Sequence, residues 1–398
     1  MTDTSTSSLY IHIPFCRRKC LYCDFFSGGA SIADWEAYAS ALTAELRLRA
    51  AELTRPVESV YFGGGTPSLI PPHIFTYIIK EIRERLTFSD AGCETTIEVN
   101  PDDVTAPDGM DKIRQWKRGG VNRVSIGVQS FDDPLLRLIG RSHSGDTARQ
   151  ALDILTSEFR NVSADLIFGL PRQTLRSLAS DLDTLHSFAP QHVSVYSLMF
   201  EEGTALTALR DAGRIREADD ELTADMYALL TDRLKDWGYE HYEISNYALP
   251  GYRSRHNSGY WTGRQYLGLG PSAHSYDGES LRRANPADIR GYIRHFSPMG
   301  DDANRQGGGI ESCAPAFFTE ENLTPDERIE ESVMLSLRRK EGIDLTDFTL
   351  RFGDEAARTL LARARKGVEA GDLHLEYGHL SLTPAGIMIS DRVILSLI

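Results

Sequence analysis

Cysteine is scarce in this sequence, with five residues in 398. An odd number of cysteines in a long chain argues against the disulfide framework of a small secreted domain. The opening residues, MTDTSTSSLY, lack both the basic and apolar parts of a secretory signal and the arginines of a transit peptide. Cys93 and Cys313 have no partner pattern, and we interpret them as incidental thiols. We expect a cytoplasmic protein whose three other cysteines form a metal or redox site.

Long apolar runs are also absent, since no stretch approaches the roughly 18 residues that a membrane-spanning helix needs. Positive charge is in short supply, because 43 Lys and Arg against 57 Asp and Glu leave a net charge of −14. Such a chain is a poor binder of polyanions outside local basic patches. With 41% hydrophobic residues, the composition is that of a globular protein and excludes disorder over most of the length.

Short apolar segments rich in Val, Ile and Tyr alternate with helical patterns over the first 200 residues. Strands are predicted at Leu9–Pro14, Ser59–Phe62, Thr96–Val99, Arg123–Val128, Asn161–Phe168 and His192–Leu198. Helices are predicted at Ile32–Leu53, Pro72–Leu86, Gly109–Arg118, Thr147–Phe159 and Thr174–Phe188. Six βα units in series predict an α/β fold with a parallel sheet, an open and partial (βα)6 barrel of TIM type. Function should then reside where the strands end.

The alternation fades after about residue 200. Arg214–Trp237 is predicted to form one long amphipathic helix, and residues 299–313 a flexible loop. Helical patterns return in Pro325–Arg339 and Asp354–Ala370 and are followed by a hairpin around Leu373–Leu382, which indicates an α+β domain of winged-helix proportions. We predict a barrel over 1–235, a linking segment over 236–315 and the winged-helix-like domain over 316–398.

Three cysteines fall within eight residues directly after the first predicted strand, and they are Cys16, Cys20 and Cys23. The C-x3-C-x2-C spacing can supply three thiolates to a [4Fe–4S] cube, which leaves the fourth iron without a protein ligand. Zinc would need a fourth ligand, and the nearby His12 lies in the preceding strand. A disulfide within C-x2-C would leave Cys16 unexplained. We favour the iron–sulfur interpretation, with zinc as the main alternative.

This cluster and several later motifs resemble the radical S-adenosylmethionine (SAM) enzymes, whose signature has an aromatic residue before the third cysteine, here Tyr22. Over nearly the whole chain the sequence is similar to the oxygen-independent coproporphyrinogen III oxidase-like family, and within it to a heme chaperone branch. The motifs that carry the similarity are Gly63–Pro67, Glu98–Pro101, Ser125–Phe131, Asp165–Pro171, His256–Trp261 and Tyr266–His274.

The resemblance implies that SAM chelates the open iron and is cleaved by an electron from the cluster to give a 5′-deoxyadenosyl radical. It places the contacts to SAM at Tyr10, Tyr22, Gly64, Gly65, Thr66, Glu98, Gln129, Arg141, Asp165 and Met199. Glu98 and Asp165 suit the amino or ribose hydroxyl groups of SAM, and Arg141 suits its carboxylate. Without the resemblance, the glycines could form only a tight turn, Tyr22 could pack within its loop, and Arg141 could be a solvated helix residue.

Heme is the third ligand that the resemblance implies, and it would be associated with the segment 236–315. An axial ligand to heme iron is most often histidine. His256, in a predicted loop with Tyr260 and Trp261 close behind, is the first candidate, and His274 is the second. The alternative for either residue is the commoner role of a hydrogen-bonded structural histidine.

The function that the resemblance implies is that of a radical SAM heme chaperone, which binds a [4Fe–4S] cluster, SAM and heme and delivers heme to hemoproteins. A low-potential donor such as flavodoxin or ferredoxin would reduce the cluster, and any peripheral membrane association would come through the recipients. A pure heme-binding protein that does not cleave SAM stays open. Nucleic-acid binding is not expected, because the basic clusters of the C-terminal domain are typical of solvated helix faces. These clusters are Arg338–Lys340 and Arg363, Arg365 and Lys366.

The nearest alternative is an oxygen-independent coproporphyrinogen III dehydrogenase, which would decarboxylate two propionate side chains. Two departures from the pattern of that enzyme argue against this activity. Phe25 occupies the position at which that enzyme has a fourth cysteine. The enzyme also carries an N-terminal extension, and in this sequence only the residues before Tyr10 occupy that place.

Overall fold

The computed structural model describes residues 5–297 and 317–398, so Cys313 and the loop predicted over 299–313 lie outside the described residues. The strands are β1 (Ser7–Ile13), β2 (Val57–Gly64), β3 (Glu94–Val99), β4 (Arg123–Gln129), β5 (Val162–Phe168), β6 (His192–Ser197), β7 (Glu240–Glu243), β8 (Asn246–Ala248), β9 (Tyr266–Leu269), β10 (His274–Tyr276), β11 (Leu281–Ala284), β12 (Thr319–Asn322), β13 (Ile343–Asp344), β14 (Leu373–Glu376) and β15 (His379–Leu382). The α-helices are α1 (Ile32–Arg49), α2 (Pro72–Arg85), α3 (Pro101–Val104), α4 (Gly109–Arg118), α5 (Asp133–Leu138), α6 (Gly145–Glu158), α7 (Leu175–Phe188), α8 (Ala205–Asp211), α9 (Asp220–Asp236), α10 (Arg255–Trp261), α11 (Ile289–Phe296), α12 (Pro325–Leu337), α13 (Leu345–Ala370), α14 (Pro384–Met388) and α15 (Ser390–Leu395).

The core of the molecule is a parallel sheet in which β1 to β6 lie side by side in chain order. Alternation along β1 shows why the sheet holds together. Leu9, Ile11 and Ile13 are fully buried in one apolar cluster with Tyr38 and Leu42 of α1. Helices cover that face, as expected for βα crossovers. The predicted α/β fold with six parallel βα units is confirmed.

The same sheet continues beyond the six strands at both edges, in the order β12-β11-β10-β9-β1-β2-β3-β4-β5-β6-β8-β7. Strand β9 pairs parallel with β1, and β8 pairs antiparallel with β6. The segment expected to link two domains therefore contributes five strands to the core sheet. The long helix predicted at Arg214–Trp237 is shorter than expected, because it begins only after Asp219, whose side chain accepts the Leu222 N–H and caps α9.

A buried ionic network fastens the β9–α11 segment to α1. Glu45 and Arg49 form an ion pair at 2.8 Å with almost no exposure to solvent. The remaining acceptor positions of Glu45 are filled by Asn285 Nδ2, the Gly270 N–H and the Tyr292 hydroxyl, at 2.8, 2.9 and 2.6 Å. Because every charge has partners, the cost of burying it is offset, and the added strands are fixed to the barrel.

The C-terminal part has a separate apolar core and a three-stranded antiparallel sheet in the order β13-β15-β14. Gly353, with φ +87, breaks α13 just before the predicted helix start at Asp354. The first basic cluster is neutralised against the barrel, since Lys340 pairs with Glu240 at 2.9 Å and the Arg338 guanidinium lies over the Trp261 ring. Within the described ranges, none of the helices has the length and apolar character needed to cross a bilayer.

Candidate functional site

The loop after β1 carries three free, half-buried thiols, those of Cys16, Cys20 and Cys23. Its centre is held by the backbone at the end of α5 and at the start of α8. The Leu21 N–H donates to the Ile139 carbonyl at 3.1 Å, and the Leu21 carbonyl accepts the Leu206 N–H at 2.8 Å. Cys93 lies at the opposite end of the sheet, just before β3, and burial raises its pKa to about 11. That thiol stays protonated at neutral pH and is not near the loop.

The glycine-rich turn after β2 packs directly on the start of the cysteine loop. The N–H groups of Gly65 and Thr66 donate to the carbonyls of Ile13 and Phe15 at 2.7 and 2.8 Å. A side chain at Gly65 would meet the Phe15 carbonyl oxygen at 2.6 Å, so only glycine allows this approach. The Thr66 hydroxyl then lies 3.4 Å from the Cys16 sulfur and points a donor at it.

Arg141 joins the second cysteine to the strand ends. Its Nη1 donates towards the Cys20 sulfur at 3.5 Å, and its Nη2 donates to the Gly127 carbonyl and to Asn100 Oδ1 at 2.7 and 2.8 Å. Asn100 in turn donates to the Thr66 hydroxyl at 3.3 Å. The Nε group of Arg141 is buried and has no partner among the described residues. The guanidinium is held at the site, with a donor free for an acceptor such as a carboxylate.

Two carboxyl groups face each other across the strand ends. Glu98 accepts the Tyr61 hydroxyl at 2.8 Å and the Gly64 N–H at 3.2 Å. Burial, reinforced by the charge of Asp165, raises the pKa of Glu98 to about 7. Burial also raises the pKa of Asp165 to about 6, although the Ser125 hydroxyl donates to it at 3.2 Å. Both groups change charge close to neutral pH, which is typical of binding and catalytic sites.

These groups line one cavity of about 510 Å³ at the carboxyl ends of the parallel strands. The predicted residues that line it are Cys16, Tyr22, Cys20, Cys23, Gly64, Gly65, Thr66, Glu98, Gln129, Arg141, Asp165 and Met199. Gln129 has a left-handed backbone with φ +66, a strain that non-glycine residues show mainly at functional sites. The residues missed from the sequence include Asn100, Ser125 and Gly127, which lie inside the motifs noted above, and Tyr196, which only its place at a strand end could have suggested.

Tyr10 does not line the cavity but lies behind it. Its hydroxyl lies 3.0 Å from His12 Nδ1, and its ring packs near the rings of Tyr61 and His256, with centroids 6.3 and 6.2 Å away. Tyr10 is therefore set back from the cavity wall, and its contact with SAM stays a prediction.

His256 lies in helix α10 and not in the loop that the sequence predicted. The side chain is buried, with 2% exposure, and burial lowers its pKa to about 3. Because the Ser59 hydroxyl donates to Ser8, it accepts from His256 Nδ1 at 2.9 Å, which leaves Nε2 to accept the Tyr260 hydroxyl at 3.0 Å. In this conformation both ring nitrogens have partners. The other candidate, His274, is exposed on β10.

A single metal ion would require several ligand side chains that converge on one point. Within residues 5–297 and 317–398, no three His, Cys, Asp or Glu side chains converge on a point that could hold one ion. In a [4Fe–4S] cube each iron takes its own thiolate, so the three sulfurs need not converge. The half-buried thiols, the donors of Thr66 and Arg141 beside two of them and the adjoining cavity fit such a cluster.

Comparison with known proteins agrees with this geometry. The chain matches the Radical SAM superfamily over residues 10–185 and the HemN C-terminal domain over residues 323–389. Among solved structures, coproporphyrinogen III oxidase (HemN) from Escherichia coli, described as a radical SAM enzyme, has a TM-score of 0.79 at 23% identity. The alignment covers 100% of this chain and 91% of that one, which shows that the two share a fold.

Curated relatives are similar over almost the full length. The chain is 34% identical to the heme chaperone HemW of Bacillus subtilis (strain 168) over 394 residues, which is 97% of each protein. It is 35% identical to the heme chaperone HemW of Synechocystis sp. (strain ATCC 27184 / PCC 6803 / Kazusa), over 85% of this chain and 79% of that one. The resemblance found in the sequence is confirmed, and the chain belongs to the HemW family of the radical SAM superfamily.

Proposed function

We propose that this protein is a heme chaperone that binds a [4Fe–4S] cluster, SAM and heme and passes heme to recipient hemoproteins. Membership of the radical SAM superfamily implies the cluster and SAM, and the name of the HemW relatives supports heme as the cargo. The observation that carries the proposal is the single cavity in which three thiols, a guanidinium and two carboxyls with raised pKa values meet.

Cys16, Cys20 and Cys23 would hold the cluster, which when bound supplies the electron for reductive cleavage of SAM. Arg141 is suited to the SAM carboxylate, because it keeps one buried donor without a partner. Glu98 and Asp165 would accept hydrogen bonds from the amino group or the ribose hydroxyls. Their ionised forms are the better acceptors, so we expect SAM to bind more tightly as the pH rises through 7.

The rim of the cavity supports heme as the cargo. Phe25, Met199 and Tyr196 line the opening with 61, 65 and 43% of their surfaces exposed, which is unusual for large apolar side chains beside a polar site. Arg18 and Lys19 line the same opening, and neither forms an ion pair within the described part of the chain. A flat apolar ring with two carboxylates would complement this surface, whereas ligation by His256 would require α10 to open.

Anaerobic reconstitution followed by hemin titration tests the proposal. The protein with its cluster should bind hemin at micromolar concentrations or tighter and give a Soret band distinct from that of free hemin. It should then transfer hemin to apomyoglobin, a generic acceptor, faster than albumin does. If hemin is not bound, or is bound but never released to the acceptor, the chaperone function is refuted.

A second candidate function is oxygen-independent coproporphyrinogen III oxidation, which the fold shared with the Escherichia coli enzyme over the whole chain favours. Phe25, at the position where the resemblance expects a fourth cysteine, argues against it. Incubation with coproporphyrinogen III, SAM and dithionite, followed by chromatography, distinguishes the two. Formation of protoporphyrinogen IX would make coproporphyrinogen III oxidation the favoured function. Reduction by flavodoxin or ferredoxin and a cytoplasmic location stay predictions.

A further inference from the structure

The carboxylate that we assign to SAM binding is held from behind by an aromatic side chain. The Tyr61 hydroxyl donates to Glu98 Oε1 at 2.8 Å, while the Gly64 N–H donates to Oε2 at 3.2 Å. Tyr61 does not line the cavity, whereas Glu98 and Gly64 do. The direction in which Glu98 presents its free lone pairs to the cavity therefore depends on where Tyr61 lies.

The ring of Tyr61 is in turn stacked on His256, with centroids 4.8 Å apart and planes inclined by 23°. His256 is immobilised on both sides by Ser59 and Tyr260, and its backbone N–H donates to Glu94. Since the imidazole is buried and neutral, it serves as a flat and fixed surface on which the Tyr61 ring rests.

We propose that His256 is a positioning residue for the SAM site, which orders Tyr61 by stacking and through it holds Glu98 towards the cavity. The inference rests on the proposed binding of SAM at Glu98. It gives the histidine of the His256–Trp261 motif a role that does not involve contact with heme. It also predicts that replacing His256 weakens SAM binding even in the absence of heme.

The pH dependence of SAM binding separates positioning from general stability. Tyr61 favours the ionised form of Glu98, so removing its hydroxyl or displacing its ring raises the Glu98 pKa above about 7. The other titratable groups that face Glu98 are Tyr10, Asp165, Tyr196 and Tyr260. The pKa values of the tyrosines are raised by burial. Asp165 titrates near 6, which is below the pH range in which the Glu98 pKa is expected to shift. The pH of half-maximal affinity should therefore move upward by about one unit.

The experiment measures SAM affinity by isothermal titration calorimetry between pH 6 and 9, on cluster-loaded protein with verified iron content. His256→Ala and Tyr61→Phe should each weaken SAM binding about fivefold at pH 7, because a rise of the Glu98 pKa from about 7 to about 8 lowers its ionised fraction from about one half to about one tenth. Both should shift the pH midpoint upward. His256→Phe keeps a ring beneath Tyr61 and cannot ligate iron, so its midpoint should stay near that of the wild type.

His192→Ala is the matched control. His192 is equally buried and has the same partners, a serine and a tyrosine, since its nitrogens lie 2.7 Å from Ser163 Oγ and 2.8 Å from Tyr242 OH. It lacks the stack on Tyr61, so its replacement should lower stability without moving the midpoint. The proposal is refuted if His256→Ala binds SAM with the wild-type midpoint, or if His192→Ala shifts it equally. Failure of the wild type to bind SAM would instead refute the proposed function.

Discussion

Replacing Glu98 by glutamine should stabilise the protein at alkaline pH, although Glu98 is a site residue. Burial and the neighbouring Asp165 raise the pKa of Glu98 from 4.5 to about 7 in the folded protein. Each unit of pKa difference corresponds to about 1.4 kcal/mol. At pH 8 the ionised group should therefore lower the free energy of unfolding by about 3 kcal/mol, whereas a neutral amide avoids this cost.

The sign of the effect follows from proton binding. Below pH 4.5 the carboxyl is protonated in both the folded and the unfolded chain, and it makes no difference to stability. Between pH 4.5 and 7 only the unfolded chain ionises, so stability falls as the pH rises. The gain from glutamine should thus be below about 1 kcal/mol at pH 5 and reach its full size above pH 7. The amide can still accept the Gly64 N–H and donate to the Tyr61 hydroxyl oxygen, but the Tyr61 O–H then loses its acceptor, which reduces the gain by a similar amount at both pH values.

Urea denaturation of the cluster-free protein at pH 5 and pH 8, followed by tryptophan fluorescence, measures both values. Glu202→Gln, at an exposed position next in sequence to the cavity residue Glu201, is the control and should change stability little at either pH. If the stability difference between wild type and Glu98→Gln is the same at pH 5 and pH 8, Glu98 ionises without penalty. The argument that the cavity disfavours its charge would then be wrong.

Three further outcomes are expected. Alanine at Cys16, Cys20 or Cys23 should abolish the roughly four irons and four sulfides bound after anaerobic reconstitution, while Cys93→Ala should retain them; loss of iron in the Cys93 variant would overturn the ligand assignment. Aspartate at both Phe25 and Met199 should weaken hemin binding about tenfold or more in an absorbance titration. Leu350→Asp, at an exposed position in the C-terminal domain, should leave the affinity unchanged. Equal hemin affinities of the double variant and the wild type would exclude the rim as the hemin-binding surface. Arg49→Met should lower the free energy of unfolding by about 3–5 kcal/mol in urea, because it leaves the Glu45 carboxylate buried without its counter-ion; a loss below about 1 kcal/mol would contradict a stabilising role for this network.

The positions of the cysteines and the order of the six parallel strands follow from local pattern. Thiol spacing within eight residues fixes which sulfurs can approach one cluster, and the alternation of apolar strands with helices permits few other topologies. Because parallel strands all end at the same edge, residues at strand ends, such as Glu98 and Gln129, had to lie near the cysteine loop. Cysteine spacing and the family resemblance together predicted just under half of the residues that line the cavity.

His256, Tyr61 and the outer strands could be placed only by the tertiary structure. A histidine beside aromatic residues has the same local sequence whether it faces a ligand or is buried, and here packing of α10 on β2 buries it. The parallel pairing of β9 with β1 likewise joins segments more than 250 residues apart in the sequence. The local periodicity of either segment cannot predict that the two pair. Periodicity reports which face of an element is apolar, but the partner of that face depends on how the whole sheet is assembled.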